Sequence, residues 1–282
     1  MASEGLAVKT ACLLLDVTRA GFYAWKNRPL SPRAIRQAML TDLIRDIHAT
    51  SRGTYGAPRV HAELRIGREL VVGHNLVAVL MRRAGLVGLP LRRRFRRSTD
   101  RTVTSADLVD RRFERDGPDQ LWVTDITEHR THEGKVYCAV VLDTFSRRVV
   151  GWSIDSSPTS ALATNALSMA IENRTPTPGS GLIVHSDQGP QFTSWAFTRR
   201  ARESGLLPSM GSVGDCFDNA VIESLWGRMQ TELLNRRRWR TRIELANAMF
   251  EYLEIFHNRQ RRHSALGMLT PTEFETRHLS IA

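Results

Sequence analysis

The chain has 282 residues, which is enough for two domains or for one large domain with a small addition. Its hydrophobic share of 41% supplies an ordinary buried core, but no apolar run approaches the length that a membrane-spanning helix needs. The N-terminus lacks the pattern of a secretion signal. Cys12, Cys138 and Cys216 lie far apart without CxxC spacing, which argues against a disulfide framework and favours a reducing cytoplasm.

The positive charge is concentrated in the first two-fifths of the chain. The formal net charge is +11; residues 1–120 hold 22 Lys and Arg against 12 Asp and Glu, whereas residues 121–282 hold 18 against 17. A polyanion would be attracted to the first part, and nucleic acid is the obvious candidate.

Residues 1–30 are predicted to form the remnant of a helix–turn–helix unit. An apolar segment at Ala11–Leu15 precedes an aromatic segment at Arg19–Asn27, and both are predicted to be short helices. Pro29 and Pro32 are expected to end the second helix and to begin a linker.

A second helical module is predicted at residues 41–90, with three short helices of which the first begins near Thr41. The third helix is expected to turn its apolar side chains inward and to stop at Gly85. These side chains are Leu76, Val77, Val79 and Leu80. A helix–turn–helix that binds DNA fits the basic composition, and a small bundle that only packs or dimerises is the alternative.

A basic linker is predicted at residues 91–117. Five arginines within six residues cannot form a packed core, so the segment is expected to be either a solvated linker or an arm that follows DNA phosphates. These predicted DNA contacts are Arg92, Arg93, Arg94, Arg96 and Arg97.

From about Gln120 the pattern changes from helix to strand. Apolar, β-branched runs predict a meander of three strands at Leu121–Thr127, Val136–Leu142 and Arg148–Ile154. A helix from Ser160 to Asn173, a fourth strand at Leu182–His185 and later helices follow. This order predicts an α/β, ribonuclease-H-like catalytic core with a C-terminal helical extension over residues 118–282.

Three acidic residues occupy special places in this arrangement. Asp125 lies in the first strand and Asp187 directly follows the fourth. Glu223 lies on a long helix, and 35 residues separate it from Asp187. Two divalent ions that clamp the attacking and leaving oxygens of a phosphodiester need hard carboxylate ligands from such elements. We expect Asp125 to bridge both ions, and Asp187 and Glu223 each to complete one site.

Several motifs occur in a fixed order along the chain. Together they resemble the second-frame (orfB) transposases of the insertion-sequence-three family, which are related to retroviral integrases. The motifs are Tyr55-Gly56, Met81–Leu86, Trp122–Thr127, Leu142–Arg147, Val150–Trp152, His185–Gly189, Asp218–Ala220 leading to Glu223, Arg261–Gly267 and Thr270-Pro271.

The resemblance implies that Asp125, Asp187 and Glu223 are the catalytic metal ligands, holding two Mg²⁺ ions with Mn²⁺ as an alternative. Many relatives have Lys or Arg seven residues after the glutamate, but this chain has Gln230, with Arg228 nearby. We predict that both contact DNA, and that Gln230 is not catalytic because a neutral amide supplies no charge.

The implied reaction is metal-dependent cleavage at the ends of an insertion sequence, followed by transfer of the 3′ end to another strand. The implied partners are double-stranded DNA (terminal inverted repeats and target), further copies of the chain, and a first-frame (orfA) protein or fusion. A bacterial, cytoplasmic, nucleoid-associated location without membrane contact follows. Two alternatives stay open: a DNA-binding regulator or partner subunit that is inactive without the first-frame protein, and a ribonuclease-H-like nuclease.

Other polar residues have ordinary interpretations. Asp143 is predicted to have a structural hydrogen-bonding role, and Trp226 to belong to the core. His185 is a candidate for a residue that orients the Asp187 carboxylate without itself binding the metal. Two basic tracts, Arg236–Arg240 and Arg259–Arg262, are candidates for following DNA, although the second precedes a turn motif that could be purely structural.

Overall fold

The computed structural model describes residues 7–89, 109, 113, 115–211 and 220–280. It confirms the predicted α/β class: a five-stranded mixed sheet carries helices on both faces, and a helical unit precedes it. No helix within these ranges combines the length and the apolar composition that crossing a bilayer requires.

The first two helices lie near the predicted segments, the first beginning three residues early and the second at the predicted Arg19, but the third starts much earlier than expected. Helices α1 (Val8–Leu14) and α2 (Arg19–Lys26) are followed by α3 (Pro32–Thr50). The prediction that Pro32 ends a helix and that the next begins near Thr41 is wrong. Pro32 opens α3 because a proline in the first turn loses no hydrogen bond, and the Ser31 hydroxyl caps the helix by accepting from the Ala34 amide.

Two further helices complete the helical unit. Helix α4 (Ala57–Ala62) continues as a π-helical turn at Glu63–Gly67, and α5 (His74–Arg83) ends before Gly85, whose φ is +69°. The positive φ explains why glycine stops this helix. Val77 and Leu80 are buried as predicted, but Val79 is exposed and Met81 is buried in its place, so that prediction is wrong.

The predicted meander and the fourth strand are confirmed, and one strand was missed. Strands β1 (Leu121–Thr131), β2 (Gly134–Asp143) and β3 (Val149–Asp155) pair antiparallel. Strand β4 (Ile183–Ser186) lies parallel to β1, and β5 (Leu207–Met210) lies parallel to β4. The order across the sheet is β3-β2-β1-β4-β5, so β1 is central.

Helices connect and cover the strands. The helix after the meander and the long helix lie where the sequence predicted them, and the C-terminal extension is helical as expected. The bounds are α6 (Ser160–Arg174), α7 (Trp195–Glu203), α8 (Ala220–Glu232), α9 (Arg242–Phe250) with a π-helical continuation at Glu251–Gln260, and α10 (Pro271–Leu279).

The sheet separates two hydrophobic cores, and alternate residues of β2 enter each. Ala139 and Val141 pack with α6 and α7 on one face. Val140 and Leu142 pack with α8, α9 and the helical unit α3–α5 on the other. Because both faces are buried, β2 has a continuous apolar sequence rather than an alternating one.

The helical unit is fixed to the C-terminal extension by polar contacts as well as by this shared core. The Tyr55 hydroxyl donates to the Gln260 carbonyl at 3.0 Å and accepts from the Arg262 amide at 2.7 Å. The buried Arg262 guanidinium donates to the carboxylates of Glu63 and Glu273. Hydrogen bonds to charged groups contribute about 1.5–3 kcal/mol each, so this contact restrains the unit against the sheet.

We predict that Gly151→Ala destabilises the fold by about 2–3 kcal/mol. A Cβ at this position of β3 would fall on the carbonyl oxygen of Ala166 and within 2.6 Å of the backbone nitrogen of Ala170, so α6 would have to move off the sheet. Gly227→Ala on α8 is the matched control, because a Cβ there meets nothing within 4 Å and alanine favours helix by up to about 1 kcal/mol. Urea denaturation should show opposite signs for the two variants; equal stability would contradict the close packing of α6.

Candidate active site

Strand pairing places two of the three predicted carboxylates side by side. In the parallel pair of β1 and β4, Val123 is opposite His185. Asp125 and Asp187 each follow two residues later, at the same edge of the sheet. Both line one cavity of about 240 Å³, together with Thr127, Pro158 and Gln191 among others.

Asp125 is held by two hydrogen bonds. Its Oδ1 accepts from the Ile126 amide at 2.8 Å, and its Oδ2 accepts from the Trp226 indole Nε1 at 2.9 Å. Burial raises the pKa of Asp125 to about 6, and the negative charges of Asp187 and Glu223 act in the same direction, while these two hydrogen bonds oppose the rise. The carboxyl groups therefore lie within electrostatic reach of one another.

Asp187 and Glu223 are both exposed. Asp187 directly follows β4, and its Oδ1 accepts from the Gly189 amide at 3.1 Å, which orients the carboxylate. Glu223 lies in the first turn of α8 but does not line the cavity. Across the parts of the chain that the structure covers, no three His, Cys, Asp or Glu side chains are grouped closely enough to hold one metal ion.

Trp226 links α8 to the central strand. Its helical spacing from Glu223 predicts that both residues lie on the face toward the site, and the structure places Trp226 there. The ring packs against the core as expected, but the sequence did not predict that its N–H also donates to Asp125.

Asp143 has the structural role that the sequence predicted. Its fully buried carboxyl group accepts from the amides of Asp119 at 2.7 Å, Phe145 at 2.8 Å and Ser146 at 3.2 Å, and so closes the turn between β2 and β3. Burial raises the pKa of Asp143 to about 6 although these hydrogen bonds oppose the shift.

The predicted DNA contacts have different environments. Arg92, Arg93, Arg94, Arg96 and Arg97 lie outside the described residues, as does Asp218. Gln230 is half-buried and donates to the Asn235 side chain at 2.9 Å. Arg228 is half-buried on another side of α8, where it lines a second cavity.

Two of the arginines in the tract 259–262 are internal. Arg261 and Arg262 are 1% and 3% exposed, and both are paired with carboxylates, so the structural alternative holds for these two. His185 hydrogen-bonds with the Ser209 hydroxyl at 3.0 Å, and its ring lies against the Phe113 ring.

Family models match most of the chain. A model of an integrase core domain matches residues 115–216, a second integrase core model matches residues 204–271, and a model of a helix–turn–helix-like domain matches residues 34–95. The transposase InsF of insertion sequence IS3A from Escherichia coli (strain K12) is 34% identical over 279 residues, covering 97% of this chain and 96% of that protein. The chain belongs to the IS3 family of transposases.

Proteins of two other insertion elements match with similar coverage. The transposase of insertion element IS629 from Shigella sonnei is 36% identical over 278 residues, covering 96% of this chain and 92% of that protein. An uncharacterized 31 kDa protein of insertion element IS600, also from Shigella sonnei, is 34% identical over 274 residues, covering 96% and 99%. These matches confirm the predicted resemblance.

The solved structures that match are retroviral integrases. The catalytic core domain of HTLV-2 integrase in complex with magnesium has a TM-score of 0.42 at 22% identity, covering 56% of this chain and 97% of that chain. The integrase core models confirm the predicted ribonuclease-H-like class of this IS3-family chain, and the helix–turn–helix-like model confirms the predicted helical region.

We predict that Asp143→Ala destabilises the protein by about 3 kcal/mol, because one buried and two partly buried amide donors lose their acceptor. Asp155→Ala is the control: this exposed aspartate accepts from the adjacent Ser156, and its loss should cost no more than about 0.5 kcal/mol. Thermal unfolding of both variants measures the difference. Equal melting temperatures would show that Asp143 does not close the turn.

We also predict that Asp125→Asn stabilises the metal-free protein by about 1–3 kcal/mol above pH 6. The folded-state pKa of Asp125 is raised to about 6, so the native chain loses stability as the pH rises from about 4 to about 6, and the variant does not. Denaturation with a chelator present, from pH 4 to pH 8, should show an advantage that vanishes at the acidic end. A variant less stable than the native chain at pH 8 would contradict this account.

Proposed function

We propose that this chain is a DDE transposase that cuts and joins DNA strands of an insertion sequence, and that Asp125, Asp187 and Glu223 form its active site. The observation that supports this most is the position of Asp125. It lies beside Asp187 in one cavity and is hydrogen-bonded to the helix that carries Glu223. In a chain of the IS3 family, this arrangement favours polynucleotidyl transfer.

The donor set fits a hard divalent cation. All three side chains are carboxylates, the ligands that Mg²⁺ and Mn²⁺ prefer. Burial, and to a smaller extent the negative charges of Asp187 and Glu223, raises the pKa of Asp125. Asp125, Asp187 and Glu223 would hold two Mg²⁺ ions, or Mn²⁺ in their place. Bound there, such ions would supply Lewis acidity at the attacking and leaving oxygens of a phosphodiester.

The residues around the carboxylates prepare the site. The Trp226 N–H fixes Asp125 against rotation, and the Gly189 amide does the same for Asp187. Glu223 is exposed and can change rotamer, so we propose that it completes the ligand set when DNA and metal are bound. Carboxylates with these roles hold and orient; they are not nucleophiles, so no covalent protein–DNA bond is formed.

We propose that residues 41–90 and the basic linker at residues 91–117 bind double-stranded DNA at the terminal inverted repeats, while the domain at residues 118–282 acts on ends and target. The helix–turn–helix-like match and the arginine-rich linker support this assignment. We further propose that the chain works as a multimer on paired ends, together with a first-frame (orfA) protein or fusion that includes a complete end-binding unit.

We predict that Glu223→Gln lowers strand joining by at least about 10²-fold, because it replaces a metal-binding carboxylate by an amide of the same shape. Glu172→Gln, at an exposed position of α6, is the control for the same chemical change. The measurement is product formation from labelled insertion-sequence-end DNA with Mg²⁺ or Mn²⁺, with and without the first-frame protein.

The products separate the proposal from its alternatives. Joined products that are lost only in Glu223→Gln support the transposase. Cleavage without joining would indicate a ribonuclease-H-like nuclease, and DNA binding without any product, even with the first-frame protein, would indicate a regulator or partner subunit. Joining by Glu223→Gln at the native rate would remove Glu223 from the active site.

A further inference from the structure

A second cavity, of about 300 Å³, lies on the face of α8 that turns away from Asp125. Glu223 and Trp226 lie on the face toward Asp125, whereas Val221, Ser224 and Arg228, spaced by three and four residues, line this cavity. Its polar wall is basic, and none of the described residues that line it is acidic. The basic side chains are Arg59, Arg147, Arg228, Arg261, His257 and His263.

Among the described residues, the positive charge of the wall exceeds what the carboxylate of Glu232 can balance. Glu232 accepts from Arg261 Nε at 2.8 Å and from Arg261 Nη2 at 2.6 Å, and its Oε1 lies 4.0 Å from Arg59 Nη1. Burial lowers the pKa of Arg228 to about 10, and the charge of Arg261 lowers it further. The pKa of Arg59 is lowered for the same two reasons. Within the described part of the chain, Arg59, Arg228 and Arg261 thus share the Glu232 carboxylate in a partly buried space.

Donor atoms in this wall lack acceptors. Arg261 is 1% exposed, and its Nη1 has no hydrogen-bond partner among the described residues. His263 is 2% exposed; its Nδ1 accepts from Arg228 at 3.4 Å, so in the neutral ring the proton is on Nε2, which also has no partner there. A buried unpaired donor costs about 1–3 kcal/mol, and such atoms persist where a ligand supplies the acceptor.

The two histidines add no charge, and of the two only His263 adds a donor. The proton of His257 is on Nε2, so its buried Nδ1 is an acceptor, and it has no partner among the described residues. His257 Nε2 donates to the Arg147 carbonyl at 2.8 Å, and burial lowers its pKa to about 3. The pKa of His263 is also well below its usual value, mainly because of burial. The site therefore offers guanidinium groups and a neutral imidazole N–H to a ligand that accepts only, which is the chemistry of a phosphate oxygen.

We propose that this cavity binds one phosphate group of the DNA backbone, with Arg228, Arg261 and His263 as its donors and Arg59 contributing charge from the helical unit. The identification of DNA as the source of the phosphate rests on the proposed function; the affinity for phosphate does not. A helix is about 10 Å across, which corresponds to about three nucleotides along one strand. A single DNA molecule is therefore large enough to reach both faces of α8, with cleavage on one side and anchoring on the other.

The first experiment measures thermal unfolding of the full chain with a chelator, comparing inorganic phosphate with chloride at equal ionic strength. Phosphate should raise the melting temperature of the native chain by about 2–4 °C, because it binds only the folded state. Arg228→Gln should lose this rise, and without phosphate it should be at least as stable as the native chain, because one of several like charges is removed. Arg277→Gln, on the exposed side of α10, removes the same charge elsewhere and should keep the rise.

A second variant keeps the proposal testable if Arg228→Gln does not fold. Ser224 is exposed and lines the cavity, so Ser224→Glu places a carboxylate where we expect the phosphate. This variant should melt at a higher temperature than the native chain and should not respond to phosphate. An equal response to phosphate in the native chain, Arg228→Gln and Ser224→Glu would overturn the proposal.

The second experiment measures the affinity for a labelled DNA duplex across a range of salt concentrations. Arg228→Gln should weaken binding about tenfold and reduce the slope of log K against log salt by about 1, as expected for one lost phosphate contact, and Arg277→Gln should leave the slope unchanged. Phosphate-dependent stabilisation with an unchanged slope would assign the cavity to a small phosphate compound and refute the DNA assignment. Neither experiment requires strand joining, so a chain that passes both but forms no product would contradict the transposase proposal alone.

Discussion

The position of α8 depends on one buried carboxylate. Glu232, at the end of this helix, accepts two hydrogen bonds from Arg261 and one from the Tyr252 hydroxyl at 2.9 Å. Breaking a buried ion pair by removing one partner costs about 3–5 kcal/mol, so α8 cannot rotate about its axis without losing this contact. Trp226 and Arg228 lie on different sides of this helix. The Glu232–Arg261 contact therefore holds Trp226 against Asp125 and Arg228 in the wall of the second cavity.

The two sides of α8 have opposite electrostatic character. The side toward the sheet meets Asp125, where burial and the neighbouring negative charges raise the carboxyl pKa. The other side faces arginines, where burial and the positive charge of Arg261 lower the pKa values of Arg228 and Arg59. Each cluster is unfavourable for the isolated protein, and each becomes favourable with a ligand of the opposite charge: cations on one side and an anion on the other. Stability given up in this way is typical of binding sites rather than of structural ion pairs.

Local patterns of apolar residues predicted the helices and strands whose formation depends mainly on those patterns. Strand β2 has a continuous apolar run because both of its faces are buried, and the length of the run distinguishes it from a helix. Strand β5 was missed because it is four residues long, contains Pro208 and begins with the exposed Leu207. In α5, apolar residues occur on more than one face of the helix. Tertiary packing therefore decides that Met81 is buried and Val79 is exposed.

Long-range contacts could not be predicted in this way. A run of arginines such as 259–262 usually faces solvent, yet Arg261 pairs with a carboxylate 29 residues earlier and Arg262 with one 199 residues earlier. The two members of each of these pairs are too far apart in the sequence to belong to one local pattern. The three carboxylates were predictable because a family pattern records their order, whereas the hydrogen bond from Trp226 to Asp125 spans 101 residues and required the fold.

Counting charges along the sequence also fails to locate the sites that attract a polyanion, because the positions of the charges depend on long-range contacts. Residues 121–282 are nearly neutral, which places the expected affinity for a polyanion almost entirely in residues 1–120. Folding separates the charges of the later part, with Asp125 and Asp187 at one edge of the sheet and Arg228 and Arg261 across α8, and it adds Arg59 from the basic helical unit to the second group. Electrostatic attraction depends on where charges lie and not on their sum, so a nearly neutral domain can present a basic cavity beside an acidic one. For a protein that must hold a phosphodiester backbone while metal ions act on one of its bonds, neighbouring sites of opposite charge are more useful than a uniformly basic surface.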